Sequence, residues 1–162
     1  MHIESFPADH ARPVSALAFD YGAQRIGVAF GQSLSGTARP VSVLKARDGV
    51  PDWEQIRSLI ETWQPDIFIV GLPYNLDGSD SELLPRAIKF ANRINGRFHK
   101  PCYGMDERLS SRAAIEKIAE QNGGGRSSGG KKRAAIDDIA AQIILENWFA
   151  EFNLRIQTSA ID

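Results

Sequence analysis

Residues 15–31 read SALAFDYGAQRIGVAFG, and this stretch decides the fold. Residues 15–20 form a nearly continuous apolar run, which is typical of a central strand buried on both faces. The four residues YGAQ then supply a turn, and RIGVAFG predicts a second strand. So short a connection favours an antiparallel hairpin. The first strand ends in a carboxylate, Asp20, at the point where the chain turns.

Downstream of this hairpin, strands alternate with helices. Further strands are predicted around PVSVL (38–45), DIFIVGLP (66–73) and CYGMDE (102–107). Apolar residues at helical spacing, bounded by Pro, Asn and Gly, predict helices at 51–65, at 81–94, briefly after Ser110, and at 134–150. Three antiparallel strands followed by helix-linked parallel strands predict an α/β domain with a mixed five-stranded sheet flanked by helices.

The length of 162 residues fits one domain. We expect a flexible tail over 1–13, the domain over 14–152 and a C-terminal tail over 153–162. NGGGRSSGGKKR (122–133) predicts a flexible basic loop. The single cysteine and the lack of a signal peptide favour a reducing cytoplasm, and no apolar stretch is long enough to span a membrane.

Charge is distributed unevenly along the chain. The formal net charge is −1, but residues 84–133 hold 12 of the 19 Lys and Arg residues and 4 of the 20 Asp and Glu residues. This asymmetry indicates a face that binds polyanions. The alternative is an ordinary solvated face whose charges are clustered only along the sequence.

Acidic residues are the candidates for chemistry. Asp20 ends an apolar strand, where a carboxylate is costly to bury unless it is paired or binds metal. Asp106 and Glu107 follow the fifth strand and point to opposite sides of it. Asp137 begins the last helix on the face that should pack against the sheet, and Asp138 lies beside it. Each has a simpler reading as a turn cap, a surface ion pair or a helix N-terminal acid.

Together, three carboxylates from two strand ends and one helix start can bind Mg²⁺ or Mn²⁺. Such ions support phosphodiester hydrolysis. Neither a zinc-ligand spacing, nor a nucleophile motif, nor a P-loop is present in the sequence.

Four motifs resemble the YqgF/RuvX family over roughly residues 15–150. They are FDYGAQRIGVA (19–29), IVGLPYNLDGS (69–79), DERLSS (106–111) and IDDIAAQIIL (136–145). The resemblance implies a ribonuclease H-like fold and a metal-dependent endonuclease that matures the 5′ end of the 16S rRNA precursor. An alternative function within the family is a Holliday junction resolvase acting on branched DNA.

The resemblance also assigns roles to residues. Asp20, Glu107 and Asp137 correspond to the catalytic and metal-binding acids, with Asp138 as a secondary ligand. The wider superfamily commonly has a glutamate at the end of the fourth strand, but that strand ends here in Gly71-Leu72-Pro73, so Glu107, or else Asp106, must take its place. Expected contacts to nucleic acid are Arg25, Arg108, Arg126, Lys131, Lys132 and Arg133. Expected loop-shaping residues are Gly22, Gly27, Gly71, Pro73 and Asn75.

Two rival readings remain from different classes. Actin-like sugar or acetate kinases also use an Asp-x-Gly hairpin, but they need two such domains to enclose ATP. A non-catalytic RNA-binding module of the ribosome would fit the basic segment but not the acids, which repel phosphates unless metal bridges them. The expected partners are precursor rRNA and ribosomal particles or branched DNA, for a monomer or a homodimer.

Overall fold

A mixed sheet forms the centre of the molecule. The computed structural model describes residues 3–8, 12–74, 77, 79, 81–106 and 129–161, with side chains of the last segment described from Ile139 to Ile156. Within these residues six strands have the order β4-β3-β2-β1-β5-β6. They are β1 (Ser15–Asp20), β2 (Arg25–Gln32), β3 (Thr37–Arg47), β4 (Val50–Pro51), β5 (Ile67–Leu72) and β6 (Cys102–Asp106).

The central strand is β1, as its apolar sequence predicted. It pairs with β2 in the antiparallel sense and with β5 in the parallel sense, and β6 continues the parallel half. Residues 16–19 have no solvent exposure. The predicted antiparallel-then-parallel arrangement is therefore confirmed.

The sheet has one strand more than the five predicted. β4 is only two residues long and pairs with the end of β3. The turn between them is Asp48-Gly49, whose φ values of 51° and 81° are both left-handed. That conformation is the one required at both centres of a type I′ hairpin turn. The helix was predicted to open at Pro51, but Pro51 is the last residue of β4 and α1 begins at Trp53.

Three helices are described: α1 (Trp53–Trp63), α2 (Leu84–Phe98) and α3 (Gly129–Ile161). α1 begins where Asp52 caps it by accepting a hydrogen bond from the Glu54 amide at 3.0 Å. α2 does not end at Asn95-Gly96 as predicted, but continues to Phe98, and His99 takes the left-handed capping conformation. Phe98 packs edge-on to Phe68, so burial of its ring extends the helix.

The boundaries predicted for the last helix were also wrong. α3 includes residues 129–133, which were assigned to the basic loop, and it runs through the predicted C-terminal tail to Ile161. Phe152 is fully buried and Ile156 packs beside it, so the apolar stripe continues past the predicted domain end at residue 152. The predicted short helix after Ser110 and the loop residues 122–128 lie outside the described residues.

Each face of the sheet has its own core. On the face covered by α1 and α2, here the α1–α2 face, Leu17 and Phe19 of β1 pack with residues such as Ile56 and Phe90. On the opposite face, here the α3 face, Ala16 and Ala18 of β1 pack beneath α3, whose buried residues include Trp148. Because β1 alternates between these cores, the register of β1 determines which face each of its side chains meets.

The N-terminal segment, residues 3–8, packs on the domain, although a flexible tail was predicted. The Glu4 carbonyl accepts a hydrogen bond from the Gly104 amide at 2.9 Å. Trp148 donates from Nε1 to the Ser5 carbonyl at 2.8 Å and stacks on Phe6 with centroids 5.4 Å apart. The segment therefore covers the exposed edge at β6 and one end of the core beneath α3. The sequence concealed this because residues 1–13 contain only isolated apolar residues.

No helix in the described part of the chain combines the length and the apolar character needed to cross a membrane.

Replacing Gly96 with Ala should raise the free energy of unfolding by about 1 kcal/mol. Gly96 lies inside α2, and an added Cβ would have no neighbour within 4 Å. Alanine in a helix interior is favoured over glycine by about this amount. Urea titration of both proteins measures the change. A destabilised variant would show that α2 ends before Gly96.

Removing residues 1–8 should lower the free energy of unfolding by about 2 kcal/mol, the scale of burying one large apolar side chain. The deletion removes the ring that covers Trp148 and the carbonyl that accepts its Nε1 hydrogen bond. Thermal unfolding followed by circular dichroism measures this. Full-length Phe6→Ala should reproduce much of the loss. Glu4→Ala should be silent, because the hydrogen bond from Gly104 uses the backbone carbonyl of that exposed residue. Unchanged stability of the truncated chain would contradict a structural role for the segment.

Candidate catalytic edge

Asp20 lies at the sheet edge where the carboxyl ends of three parallel strands meet. β1, β5 and β6 run parallel, so Asp20, Leu72 and Asp106 end at the same edge. Alternation along β1 places Asp20 on the same side as Ala16 and Ala18, which is the α3 face. Asp20 is partly exposed and follows four fully buried residues. A carboxylate therefore stands where the central strand leaves the core.

Glycines flank Asp20 on both neighbouring strands. Gly27 of β2 is its direct antiparallel partner. On β5, the pairing of Phe19 with Val70 brings Gly71 to the level of Asp20. Neither glycine has a side chain, so β2 and β5 place no Cβ at the level of the carboxylate on the α3 face. Gly27 and Gly71 were both expected to be loop-shaping residues, and that role stays a prediction.

The turn after Asp20 is held tight by a third glycine. A Cβ on Gly22 would lie 2.6 Å from the Arg25 carbonyl oxygen, so only glycine fits. Arg25 begins β2 opposite Lys45 and is partly exposed, so it lies at the same edge as Asp20. In the loop after β5, the Pro73 carbonyl accepts a hydrogen bond from the Ser81 hydroxyl. Asn75 lies outside the described residues.

Asp106 lies on the opposite face of the sheet from Asp20. Tyr103 and Met105 of β6 belong to the core beneath α3. Alternation therefore turns Asp106 toward the α1–α2 face, beside its register partner Leu72. Of the two acids considered at this strand end, the structure thus separates Asp106 from Asp20. Glu107 itself lies outside the described residues.

The direction of α3 brings its amino-terminal half toward the edge that holds Asp20. Asn153 donates to the Ser33 carbonyl at 2.9 Å, and Ser33 is bonded to Val14, before β1 begins. Eleven residues earlier, Gln142 donates to the Ala38 carbonyl at 3.1 Å, and Ala38 is connected through Gly31 to the level of Ala16. Moving backward along α3 therefore means moving toward the carboxyl end of β1.

Asp137 and Asp138 occupy helical positions in this amino-terminal half. The prediction that Ala141, Ile144 and Trp148 share a face packed on the sheet is confirmed, since each is at most 1% exposed. Asp137 precedes Ala141 by one helical turn, so its position continues that stripe. The side chains of both acids lie outside the described set.

The predicted basic contacts fall mainly in the same region of the sequence. Arg108 and Arg126 lie outside the described residues. Lys131, Lys132 and Arg133 were predicted in a flexible loop, but the structure places their backbone in the first turns of α3. Their side chains, too, are outside the described set.

The described side chains argue against a cysteine nucleophile and do not by themselves form a metal site. Burial raises the pKa of the Cys102 thiol to about 12, so it stays protonated at neutral pH and cannot supply a thiolate nucleophile. No three His, Cys, Asp or Glu residues lie close enough to hold a metal within the described part of the chain. That part includes Asp20 but not Glu107 or the side chain of Asp137. A half-buried carboxylate flanked by two glycines is nonetheless suited to a hard cation.

A cleft beside this edge was missed by the sequence reasoning. It encloses about 300 Å³ between α2 and the turn joining β3 to β4. Its lining combines Tyr21, which directly follows Asp20, with Arg86, Lys89 and Arg93 of α2. The spacing of these three basic residues at i, i+3 and i+7 was the signal that could have found it.

Known proteins similar to this chain are named as a resolvase or as nucleases. A family model described as "RuvX: Holliday junction resolvase" matches residues 14–151. A protein of Chromohalobacter salexigens named "Putative pre-16S rRNA nuclease" is 51% identical over 137 residues, which are 83% of this chain and 88% of that protein. Proteins of the same name from Aeromonas salmonicida and Pseudomonas aeruginosa (strain LESB58) are 46% and 50% identical. They cover 85% and 83% of this chain and are themselves covered to 95% and 91%.

Solved structures bear on the fold. RuvC of Thermus thermophilus matches with a TM-score of 0.50 at 12% identity, covering 89% of this chain and 97% of that one. The same protein in complex with a Holliday junction substrate gives 0.51 at 14% identity, with 88% and 95% covered. The ribonuclease H-like fold class is thereby confirmed. With the family match over residues 14–151 and relatives at about half identity, this chain belongs to the YqgF/RuvX family.

Proposed function

We propose that this protein is a divalent-metal-dependent endonuclease that matures the 5′ end of the 16S rRNA precursor. Its enzyme class is that of its family, a hydrolase acting on ester bonds. One observation carries the proposal. Asp20 stands at the carboxyl edge of the central strand between Gly27 and the level of Gly71, and α3 directs its acid-bearing half toward this edge.

Asp20, Glu107 and Asp137 are the proposed metal ligands, with Asp138 secondary. Asp106 faces away from Asp20, so strand alternation favours the next residue, Glu107, for the α3 face. Asp137 continues the stripe of α3 that packs on this face. Carboxylate oxygens are the ligands that Mg²⁺ and Mn²⁺ prefer. When bound, such ions activate water and stabilise the leaving oxygen of a phosphodiester.

The remaining residues of the site would bind and position the substrate. Gly22, Gly27 and Gly71 keep side chains away from the carboxylate, so a phosphodiester can approach it closely. Arg25, at the same edge, would contact a phosphate, and its fixed fork of donors suits that role. Arg108, Arg126, Lys131, Lys132 and Arg133 would add positive charge where the substrate passes. In this proposal the acidic residues hold the metal, and the basic residues bind the substrate strand.

Precursor rRNA and branched DNA are the two candidate substrates. The names of similar proteins, and not the geometry of the site, distinguish between them. The curated relatives at 46–51% identity are named for the 16S rRNA precursor, which favours RNA. The family model is described by Holliday junction resolution, which favours branched DNA as the second candidate. The likeness to RuvC is too distant in sequence to choose. A metal-dependent cleavage assay that offers precursor rRNA and a four-way DNA junction side by side decides between them.

Asp20→Asn should reduce cleavage by at least about 100-fold, the scale of removing one electrostatic group from an active site. The amide keeps the shape of the side chain but loses the charge that favours the metal. Cleavage of precursor rRNA is measured with Mn²⁺ or Mg²⁺, together with thermal unfolding to show that the fold is intact. A folded variant that cleaves at the wild-type rate would refute Asp20 as the central ligand.

Glu107→Gln should impair cleavage far more than Asp106→Asn. The two residues are adjacent, and each substitution replaces a carboxylate with the corresponding amide, so the pair compares neighbouring positions. Asp106 lies on the α1–α2 face, away from Asp20. Rates at saturating metal and substrate provide the comparison. A larger loss for Asp106→Asn would assign the ligand to Asp106 and contradict the alternation argument.

A further inference from the structure

The exposed side of α2 carries basic residues and no acidic residue. The 15 residues of the helix include four basic residues and no acidic residue. The four lie at i, i+3, i+7 and i+11, which places them on one side of the helix. The opposite side is buried against the sheet. We call this set the α2 ridge: Arg86, Lys89, Arg93 and Arg97.

An ordinary solvated helix in the same protein looks different. α1 mixes signs, with Glu54, Arg57 and Glu61, and its Arg57 lies 3.5 Å from Glu54. On the α2 ridge, only Arg86 is in an ion pair among the described residues. Lys89 and Arg93 are exposed and have no acidic group within salt-bridge distance in that part of the chain. Uncompensated charges of one sign are repulsive, which favours binding of an anion between them.

The cleft at the amino end of the ridge is shaped by fixed groups. Arg86 donates from Nη2 to the Asp48 carboxylate at 2.7 Å and to its carbonyl at 2.9 Å. This holds the β3–β4 turn against α2. The tight packing leaves no room for a side chain on Gly49, since a Cβ there would overlap the Tyr21 hydroxyl. Lys89 and Arg93 thus line a cleft whose opposite wall is the β3–β4 turn. That wall is held in place by Arg86 and not by Lys89 or Arg93.

The far end of the ridge is also fixed in place. The Arg97 guanidinium lies 4.2 Å from the centroid of the Trp53 ring. Stacking of this kind orders an arginine while its N–H groups remain available around the plane. From Arg86 to Arg97 the ridge spans about 16 Å at the rise of an α-helix. That length can contact several phosphates of one strand.

The ridge begins next to the catalytic edge. Tyr21 in the cleft is the residue after Asp20, and the Gly49 amide donates to the Ala23 carbonyl in the same hairpin at 2.8 Å. We propose that the α2 ridge binds the sugar-phosphate backbone of the nucleic acid substrate beyond the point of cleavage, on the α1–α2 face. This inference rests on the proposed function, because it presumes a nucleic acid at Asp20.

The test is binding by a double variant, Lys89→Gln with Arg93→Gln. Glutamine preserves helix propensity while removing two charges. A charge-matched control is Arg39→Gln with Arg155→Gln. Both control residues are exposed, and each lies over an aromatic ring, Trp63 and Phe6, away from the ridge. Affinity for a precursor rRNA fragment is measured without divalent metal at several salt concentrations, with cleavage kinetics in parallel.

The ridge variant should bind about tenfold more weakly at 0.1 M salt, and its log–log salt dependence should be shallower by about 1.5 units, as for two lost phosphate contacts. Its KM should rise more than its kcat falls. The control should match the wild type. Equal losses in both variants would reduce the effect to net charge and overturn the proposal, as would wild-type affinity and slope in the ridge variant.

Failure of the ridge and failure of the proposed function are distinguishable. A wild-type protein that cleaves, loses activity with Asp20→Asn and keeps full affinity in the ridge variant would retain its nuclease function without the ridge. A wild-type protein that neither binds nor cleaves nucleic acid would overturn both.

Discussion

Backbone pairing of β1 on both of its edges is the constraint on which the rest of the structure depends. One edge pairs antiparallel with β2 and the other parallel with β5. Because its middle residues are buried on both faces, a slip of one residue would exchange the two cores. It would also move Asp20 to the α1–α2 face. The position of the carboxylate is therefore determined by the same packing that stabilises the domain.

The central sheet could be predicted from the sequence because its signals are local and strong. Apolar runs located the buried strands, and the four-residue turn after Asp20 implied the hairpin. Several errors arose where the local signal was misleading or too weak. Asn95-Gly96 resembles a helix end, but burial of Phe98 extends α2 past it. Asp48-Gly49 is a strong hairpin signal that was overlooked because the strand after it has only two residues.

The N-terminal segment was a further error, and no local pattern could have revealed its role. Its backbone carbonyls accept hydrogen bonds from residues 100 or more positions away, Gly104 and Trp148. The family match begins at residue 14, so the resemblance that informed the rest of the chain did not cover this segment. Docking of a few apolar side chains onto a distant tryptophan depends on the shape of the finished core, which a sequence pattern does not contain.

The sequence proposed the acids of the candidate site, but not their geometry. A carboxylate ending an apolar strand identified Asp20, and alternation implied that only one of Asp106 and Glu107 could share its face. Deciding which one required the register of β6, since Met105 had to be assigned to the core beneath α3.

The α2 ridge was counted within a basic region of the sequence, but its relation to Asp20 depends on the β3–β4 turn. The acids are proposed for one face of the sheet, and the α2 ridge lies on the other. A bound strand would therefore cross the edge near Asp20 and Gly22 as it passes from the ridge to the acids. Phosphates are attracted by uncompensated basic groups and repelled by acids without metal. The α2 ridge and the proposed metal ligands are thereby assigned to opposite faces of one sheet, so each can be altered without rebuilding the other.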